Sequence, residues 1–149
     1  MRSLWILSAF ALSLVVAGAA SAAEVVVEML NRDKATNMAQ VFKPALVKVN
    51  KGDTVKWVAT NPGHNVAFVA GGIPAGVAAF SSGFTKEIKY KFDKPGIYVY
   101  KCTPHAGMGM VGLVLVGNDK SNLAAAKAAF VPPLAKKRLE PLFAEIAKK

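Results

Sequence analysis

The sequence predicts an all-β sandwich or Greek-key barrel carrying two C-terminal α-helices. Three observations predict it. Between Val25 and Val116, short runs rich in β-branched and aromatic residues are separated by clusters of Gly, Pro, Asn and Asp, the punctuation of a sandwich or barrel. Some of these runs alternate apolar and polar side chains with a period of two, the mark of a half-buried strand. Beyond Gly117 the composition shifts towards helix formers and the apolar spacing lengthens to a helical period.

The chain has 149 residues, the length of one domain able to bury a core without staples. Arg2, the apolar stretch from Leu4 to Ala17 and the small residues Ala20-Ser21-Ala22 read as a secretory signal peptide, residues 1–23, cut after Ala22 or Ala23. The run is too short, and its end too rich in small residues, for a membrane anchor. No twin arginine appears, which points to general secretion in an unfolded state, and no cysteine near the cut could take a lipid. The remaining residues 24–149 are expected to form the single domain, its helical tail starting at about residue 121.

Val25 to Leu30 is the first expected strand. After a polar stretch, Ala45 to Val49 and Thr54 to Val58 flank Asn50-Lys51-Gly52-Asp53, whose Gly and Asp suit a hairpin loop, so these two read as adjacent strands. Asn61-Pro62-Gly63 turns the chain before His64, and Asn65 to Val69 follows as a short strand. Ala70 to Ser82, with paired glycines and Pro74, reads as a long loop. Phe84 to Phe92 places Ile88, Tyr90 and Phe92 on one face and Lys89 and Lys91 on the other; Asp93-Lys94-Pro95-Gly96 then turns it back. Alternation along Ile97 to Cys102 puts Tyr98, Tyr100 and Cys102 on one face and Lys101 on the opposite one. Val111 to Val116 is an unbroken apolar run, that of a strand buried on both faces. Ser121 is a plausible N-cap for a helix over Leu123 to Phe130, stopped by Pro132-Pro133. Leu139, Leu142, Phe143 and Ile146 recur at helical spacing, with a kink or a helix start expected near Pro141. A basic amphipathic tail can lie on a membrane surface, but packing against a sheet face is the better reading of so narrow a stripe.

The formal net charge is +10, one less without Arg2. Such a balance suits acidic partners. Export, and the scatter of Lys43, Lys48, Lys51, Lys56, Lys86, Lys89, Lys91, Lys94 and Lys101 along the strands, count against nucleic acid, whose binding arms are basic blocks with interleaved aromatics.

Cys102 is the only cysteine. In an exported chain a lone thiol is an intermolecular disulfide, a buried inert group, a nucleophile or a metal ligand. Its surroundings favour the last: Tyr100-Lys101-Cys102-Thr103-Pro104-His105-Ala106-Gly107-Met108-Gly109-Met110 combines a thiolate, an imidazole and thioethers, a soft set suited to copper or zinc. His64, after its own Pro-Gly turn, can meet this loop at one end of a sandwich. His64, Cys102 and His105 would then form a plane of two nitrogens and a thiolate, with a methionine sulfur as a weaker fourth donor, the set of a blue-copper electron-transfer site. Zinc accepts Cys and His, but a thioether is a poor zinc ligand and the loop has no carboxylate. Covalent haem would need Cys-x-x-Cys-His. A cysteine hydrolase would need a third group to orient its base, and the loop offers no Asn or Asp. By spacing, Met108 and Met110 both remain candidates for the fourth donor.

The pattern Cys-x-x-His-x-x-x-x-Met, as Cys102, His105 and Met110, together with Gly63-His64-Asn65 and the helical extension after Gly117, resembles the cupredoxins and specifically the pseudoazurins. The resemblance covers essentially the whole chain after the leader. It implies a cupredoxin fold, no enzymatic activity, and one copper ion cycling between Cu(I) and Cu(II), held by His64, Cys102, His105 and Met110. Met108 fits the shorter loop of the related amicyanins, and the resemblance favours Met110. It further implies that the backbone N–H of Asn65 reaches the cysteine sulfur while its side chain ties the two loops, and that electrons pass through His105 among the small neighbours Pro104, Ala106, Gly107 and Gly109. Lys101, with Arg32 and Lys34, could rim that patch. The implied partners are acidic redox proteins, a nitrite reductase or similar denitrification enzyme as acceptor and a c-type cytochrome as donor, meeting a monomer in the periplasm. Two positions depart from the pattern: Ala106 stands where many members have tyrosine, and Pro62 where a basic residue is frequent. A periplasmic copper-delivery protein is the rival reading, though it lacks here the exposed Met- and His-rich clusters such proteins use.

Overall fold

A computed structural model describes residues 22–148 of the chain; the expected signal peptide lies almost wholly outside the described residues. Among the described residues, eight strands form two four-stranded sheets that are not closed into a barrel, followed by two helices. The sandwich expectation holds and the barrel alternative does not. In the first sheet, β1 (Glu24–Arg32) lies between β2 (Ala39–Lys43) and β4 (Thr54–Val58), with β6 (Ile88–Lys91) beyond β4. The second runs β3 (Leu46–Val49), β8 (Val111–Val116), β7 (Gly96–Lys101), β5 (Ala67–Phe68).

The strands flanking Asn50-Lys51-Gly52-Asp53 are not a hairpin. The chain crosses from one sheet to the other there: β3 pairs in parallel with β8 and β4 in parallel with β1. The loop follows from its hydrogen bonds. Asp53 turns its carboxylate back onto the N–H of Asn50 at 2.8 Å and of Ala23 at 2.8 Å, and Gly52 N–H donates to Phe92 O at 2.8 Å. These ties bind the loop to the first sheet's neighbours, leaving no cross-strand ladder between β3 and β4. Asp93 to Gly96 is likewise a crossing, from β6 to β7; the Tyr98 hydroxyl closes it by donating to Lys94 O at 2.7 Å.

β2, which contains only one fully buried side chain, Phe42, is not anticipated from the sequence. It pairs antiparallel with β1 across a turn organised by Asp33, whose carboxylate accepts from Lys43 Nζ at 2.7 Å, Thr36 Oγ1 at 2.9 Å and Ala35 N at 3.1 Å. The expected strand Phe84 to Phe92 is shorter, because Thr85 takes a left-handed φ of 57° to reach His64 and Phe84 is left exposed. The strand expected over Asn65 to Val69 shrinks to Ala67–Phe68 because Asn65 and Val66 bond to loops instead.

Between the sheets, alternation acts as expected: Tyr98, Tyr100 and Cys102 face Val27, Met29, Val55, Trp57 and Phe92 in one buried cluster. Tyr100 packs edge-on against Phe42 at 4.8 Å and Trp57 at 5.3 Å. Its ring lies over Gly112, its partner on β8, where an added Cβ would come within 2.4 Å of the ring. The opposite face of β7 and β8 presents Ile97, Val99, Val111, Leu113 and Leu115 to the helices. That second burial is why Val111 to Val116 has no polar alternation.

α1 (Leu123–Ala128) starts after Asn122, not Ser121. The Asn122 side chain leaves the helix end uncapped and bonds both the N–H of Ile97 at 2.9 Å and its carbonyl at 2.8 Å, fastening α1 to β7. α2 (Pro133–Ala147) begins at Pro133, well before Pro141, and runs through it. A proline at the first helical position costs no hydrogen bond. Pro141 sits in a helix whose Ala135, Leu139, Phe143 and Ile146 are buried against the second sheet. At about 1.5–3 kcal/mol for each large apolar side chain, their burial offsets the roughly 3 kcal/mol penalty of an interior proline. No helix among the described residues is long and apolar enough to cross a membrane.

Of the scattered lysines, Lys43, Lys48, Lys56, Lys89 and Lys91 pair with carboxylates, and the exposed pairs among them add little to stability because water and salt screen them. Asp33 differs in having several donors: the hydrogen bond from Lys43, then those from the Ala35 amide and the Thr36 hydroxyl, bring its carboxyl from the ordinary 3.8 down to about 2. A depressed carboxyl stabilises the fold above its unfolded value and loses that contribution as pH falls through its folded one. The thermal midpoint of the parent chain should therefore fall between about pH 4 and pH 2 more steeply than that of Asp33→Asn, the two curves converging at the acid end; parallel curves in a circular-dichroism melt series would refute it.

Candidate metal centre

The loop joining β7 to β8 is folded on itself by its own backbone. Cys102 N–H donates to Met110 O at 3.0 Å, continuing the ladder by one pair, and His105 N–H returns to Cys102 O at 3.2 Å. A single 3₁₀ turn, Ala106–Met108, follows. His105 O then accepts from Met108 N at 2.9 Å and from Met110 N at 3.1 Å. Cys102 and Met110 thus stand at the two feet of one hairpin with His105 at its crest.

His64 arrives from the crossing between β4 and β5. Its carbonyl accepts from Thr85 N at 2.9 Å and Gly63 N–H donates to Thr85 Oγ1 at 3.0 Å, so the segment before β6 braces it. The ring is wholly buried. Its Nε2 lies 2.9 Å from the side-chain oxygen of Asn31, at the end of β1. An amide oxygen only accepts, so Nε2 carries the hydrogen and Nδ1 carries the lone pair. That Nδ1 faces His105 Nδ1 at 3.1 Å and Cys102 Sγ at 3.7 Å, while Sγ to His105 Nδ1 is 3.5 Å.

His64, Cys102 and His105 are the cluster of metal-binding side chains among the described residues. Their three donor atoms form a nearly equilateral triangle. A point in its plane lies at about 2.0 Å from every corner, close to the bond lengths of imidazole nitrogen and thiolate to a metal of this size. The residues therefore fit a bound ion. Burial lowers the pKa of His64, with the charge of His105 acting the same way, and favours a neutral, ligating imidazole. Burial raises the Cys102 thiol, against hydrogen bonds from the backbone of Asn65 and His105, so a metal must displace its proton on binding.

The side-chain half of the role expected of Asn65 is present: its amide accepts from Thr103 N at 2.7 Å and donates to Thr103 Oγ1 at 3.1 Å, joining the His64 loop to the Cys102 loop. Pro104 has no N–H to offer. Met110 is 0% exposed and shares the inner core with Cys102, whereas Met108 is 48% exposed. Of the charged residues expected near the rim, Lys101 is partly buried at the end of β7, Arg32 is tied to Asn37 O and Oδ1, and Lys34 is exposed. Asn31 and Thr103 escaped the sequence reading. Polar residues ending an apolar run carry no signal of the ring or amide they will meet.

The copper binding proteins, plastocyanin/azurin family, matches residues 27–117. A pseudoazurin of Methylorubrum extorquens is 46% identical over 127 residues, covering 85% of this chain and 84% of that protein. A pseudoazurin of Paracoccus pantotrophus is 42% identical over 120 residues, covering 80% of this chain and 81% of that one. The crystal structure of native pseudoazurin from Hyphomicrobium denitrificans superposes with a TM-score of 0.77 at 48% identity, over 82% of this chain and 97% of that chain. With a His-Cys-His triangle on a two-sheet scaffold and relatives of this closeness along its length, the chain belongs to the plastocyanin/azurin family of copper-binding proteins, on its pseudoazurin branch, whose members carry electrons and are not enzymes.

Proposed function

We propose that the chain is a periplasmic one-electron carrier whose type 1 copper is held by His64, Cys102, His105 and Met110, and that it passes electrons to a denitrification enzyme such as a nitrite reductase after receiving them from a c-type cytochrome. The observation that carries the reading is the triangle. The two imidazole Nδ1 atoms face each other across 3.1 Å, a spacing that a shared proton or a cation between them satisfies, and the third corner is the buried Cys102 sulfur. Bound copper would supply a Cu(II)/Cu(I) couple. The residues supply a site that need not move: Asn31 fixes the His64 ring, Asn65 locks the two loops, and the backbone of Cys102, His105 and Met110 is mutually hydrogen-bonded. Little reorganisation is what one-electron transfer requires.

Direction comes from exposure. Cys102, His64 and Met110 are buried and His105 is half-exposed, so the His105 ring is the edge a partner can reach, past Pro104 and Gly107. Lys101 and the net positive charge favour acidic redox proteins, with association that weakens as salt rises. The same burial counts against a copper-delivery role, since a donor of copper must expose its ligands to the acceptor.

Adding Cu(II) to the purified chain without residues 1–23 should give an intense visible colour and an EPR signal of narrow hyperfine splitting, bleached by ascorbate and restored by ferricyanide. A colourless, tetragonal signal would sink the electron-carrier reading. Met110→Leu should shift the spectrum and the reduction potential while Met108→Leu leaves both near the parent's; the reverse order would transfer the axial role to Met108.

A further inference from the structure

We propose that Arg138, on helix α2, is a positioning residue for the copper loop, holding the peptide that leads into Met110. This rests on the reading that Met110 is the fourth donor. The Arg138 guanidinium donates through Nη1 to Ala39 O at 3.0 Å, Gln40 O at 2.9 Å and Gly109 O at 3.0 Å, and through Nη2 to Ala39 O at 3.0 Å. Among the described residues no carboxylate forms an ion pair with it. A half-buried guanidinium neutralised by no acid, and surrounded by carbonyls from two distant segments, joins three elements at one point: α2, the start of β2 and the metal loop.

Both segments are shaped to reach it. Successive carbonyls of an extended strand point to opposite sides, yet those of Ala39 and Gln40 both face Arg138. The left-handed φ of 53° at Gln40 turns the intervening peptide to allow this, a conformation a non-glycine residue keeps only when its surroundings hold it. On the other side, Gly109 has φ 83°, and a Cβ there would lie 2.7 Å from Arg138 Cδ and Nε. The arginine stem is laid across a bare Cα.

Gly109 immediately precedes Met110. Around Met110 the backbone has fixed points at its own N–H, bonded to His105 O, and at its carbonyl, bonded by Cys102 N–H. The Gly109 carbonyl is the remaining one, and its partner lies outside the loop. A thioether contributes a weak, long contact to copper, too weak to hold its own loop in place, so the position of its sulfur depends on these backbone anchors. Without the guanidinium the Gly109–Met110 peptide keeps only its N–H bond to His105 O, so it can tilt about that contact and carry the sulfur relative to the His-Cys-His plane. The helical extension after β8 is then part of the metal site's support as well as a cover for the sheet.

The test compares the full parent chain with Arg138→Met, which keeps the aliphatic stem, Arg138→Lys, which keeps the charge with fewer donors, and Ile146→Ala, which weakens α2 packing away from the loop. In the copper-free proteins, amide exchange at Gly109 and Met110 should speed about tenfold in Arg138→Met and stay near the parent rate in Ile146→Ala. After loading with Cu(II), Arg138→Met should change the intensity ratio of the two thiolate charge-transfer bands and the rhombicity of the EPR signal, with Arg138→Lys changed less and Ile146→Ala unchanged. Should Arg138→Met not be recovered folded, Arg138→Lys is judged alone against Ile146→Ala. Parent-like exchange and spectra in the arginine variants, or equal effects in Ile146→Ala, would overturn the proposal. A parent chain that takes up copper without colour would instead defeat the electron-carrier reading, and the copper-free exchange arm would still judge the clamp.

Discussion

The rest of the structure depends on keeping two imidazole nitrogens 3.1 Å apart beside a sulfur. No loop would choose that arrangement by itself, because each donor presents a lone pair or a dipole to the others and two of the three are removed from water. It is imposed from outside by hydrogen bonds to groups that do not touch the centre. Asn31 orients one ring, Asn65 and Thr103 tie the two loops, and the ladder between β7 and β8 sets the feet of the hairpin. Asn31 and the ladder belong to the sheets, and Asn65 and Thr103 lie two residues from the ends of β5 and β7, so the rigidity of the sandwich is delivered to the donor atoms through short side chains. A site prepared in this way has its folding cost met by the core and not by the metal, unlike small domains that stay unfolded until an ion binds.

The core in turn is built from rings. Tyr100 stands two residues before Cys102 on the same face of β7, wedged between Phe42 and Trp57, and Phe92 meets Tyr98 edge-on at 4.9 Å. Burial lifts the Tyr98 hydroxyl to about 12 and Tyr100 higher still, so both stay neutral in any physiological compartment. Their contribution is a dense, apolar wall under the thiolate, where electrostatic interactions with the sulfur are not diluted by water.

What was legible in the sequence follows from locality. The buried and exposed faces of β7, the two-sided burial of β8 and the apolar stripe of α2 are written in periods of two or about four residues, and each appears where expected. Cys102, His105 and Met110 share one loop, so their spacing was visible; His64 was found because a Pro-Gly turn advertised it. Pairing was harder. Asn50 to Asp53 has the composition of a hairpin loop and acts as a bridge between sheets, since the choice rests on where Ala23 and Phe92 lie, not on the loop. β2 leaves no trace in the sequence because one buried phenylalanine gives no period. Pro141 does not start the helix because the tertiary burial of α2 outweighs a local preference. Asn31, Thr103 and Arg138 act across 33, 38 and up to 99 positions of sequence, and nothing local announces them.

β7 and β8 are apolar on both faces, and the outer face is covered only because the chain continues past Gly117. Cut at that glycine, the domain would retain every donor of the copper site and would also present Ile97, Val99, Val111, Leu113 and Leu115 to water as one continuous patch. Faces of that kind meet their own copies. The segment after Gly117 therefore governs colloidal behaviour: an electron carrier is served by meeting its partners and not its own copies, and the two helices keep this face of the second sheet out of such encounters.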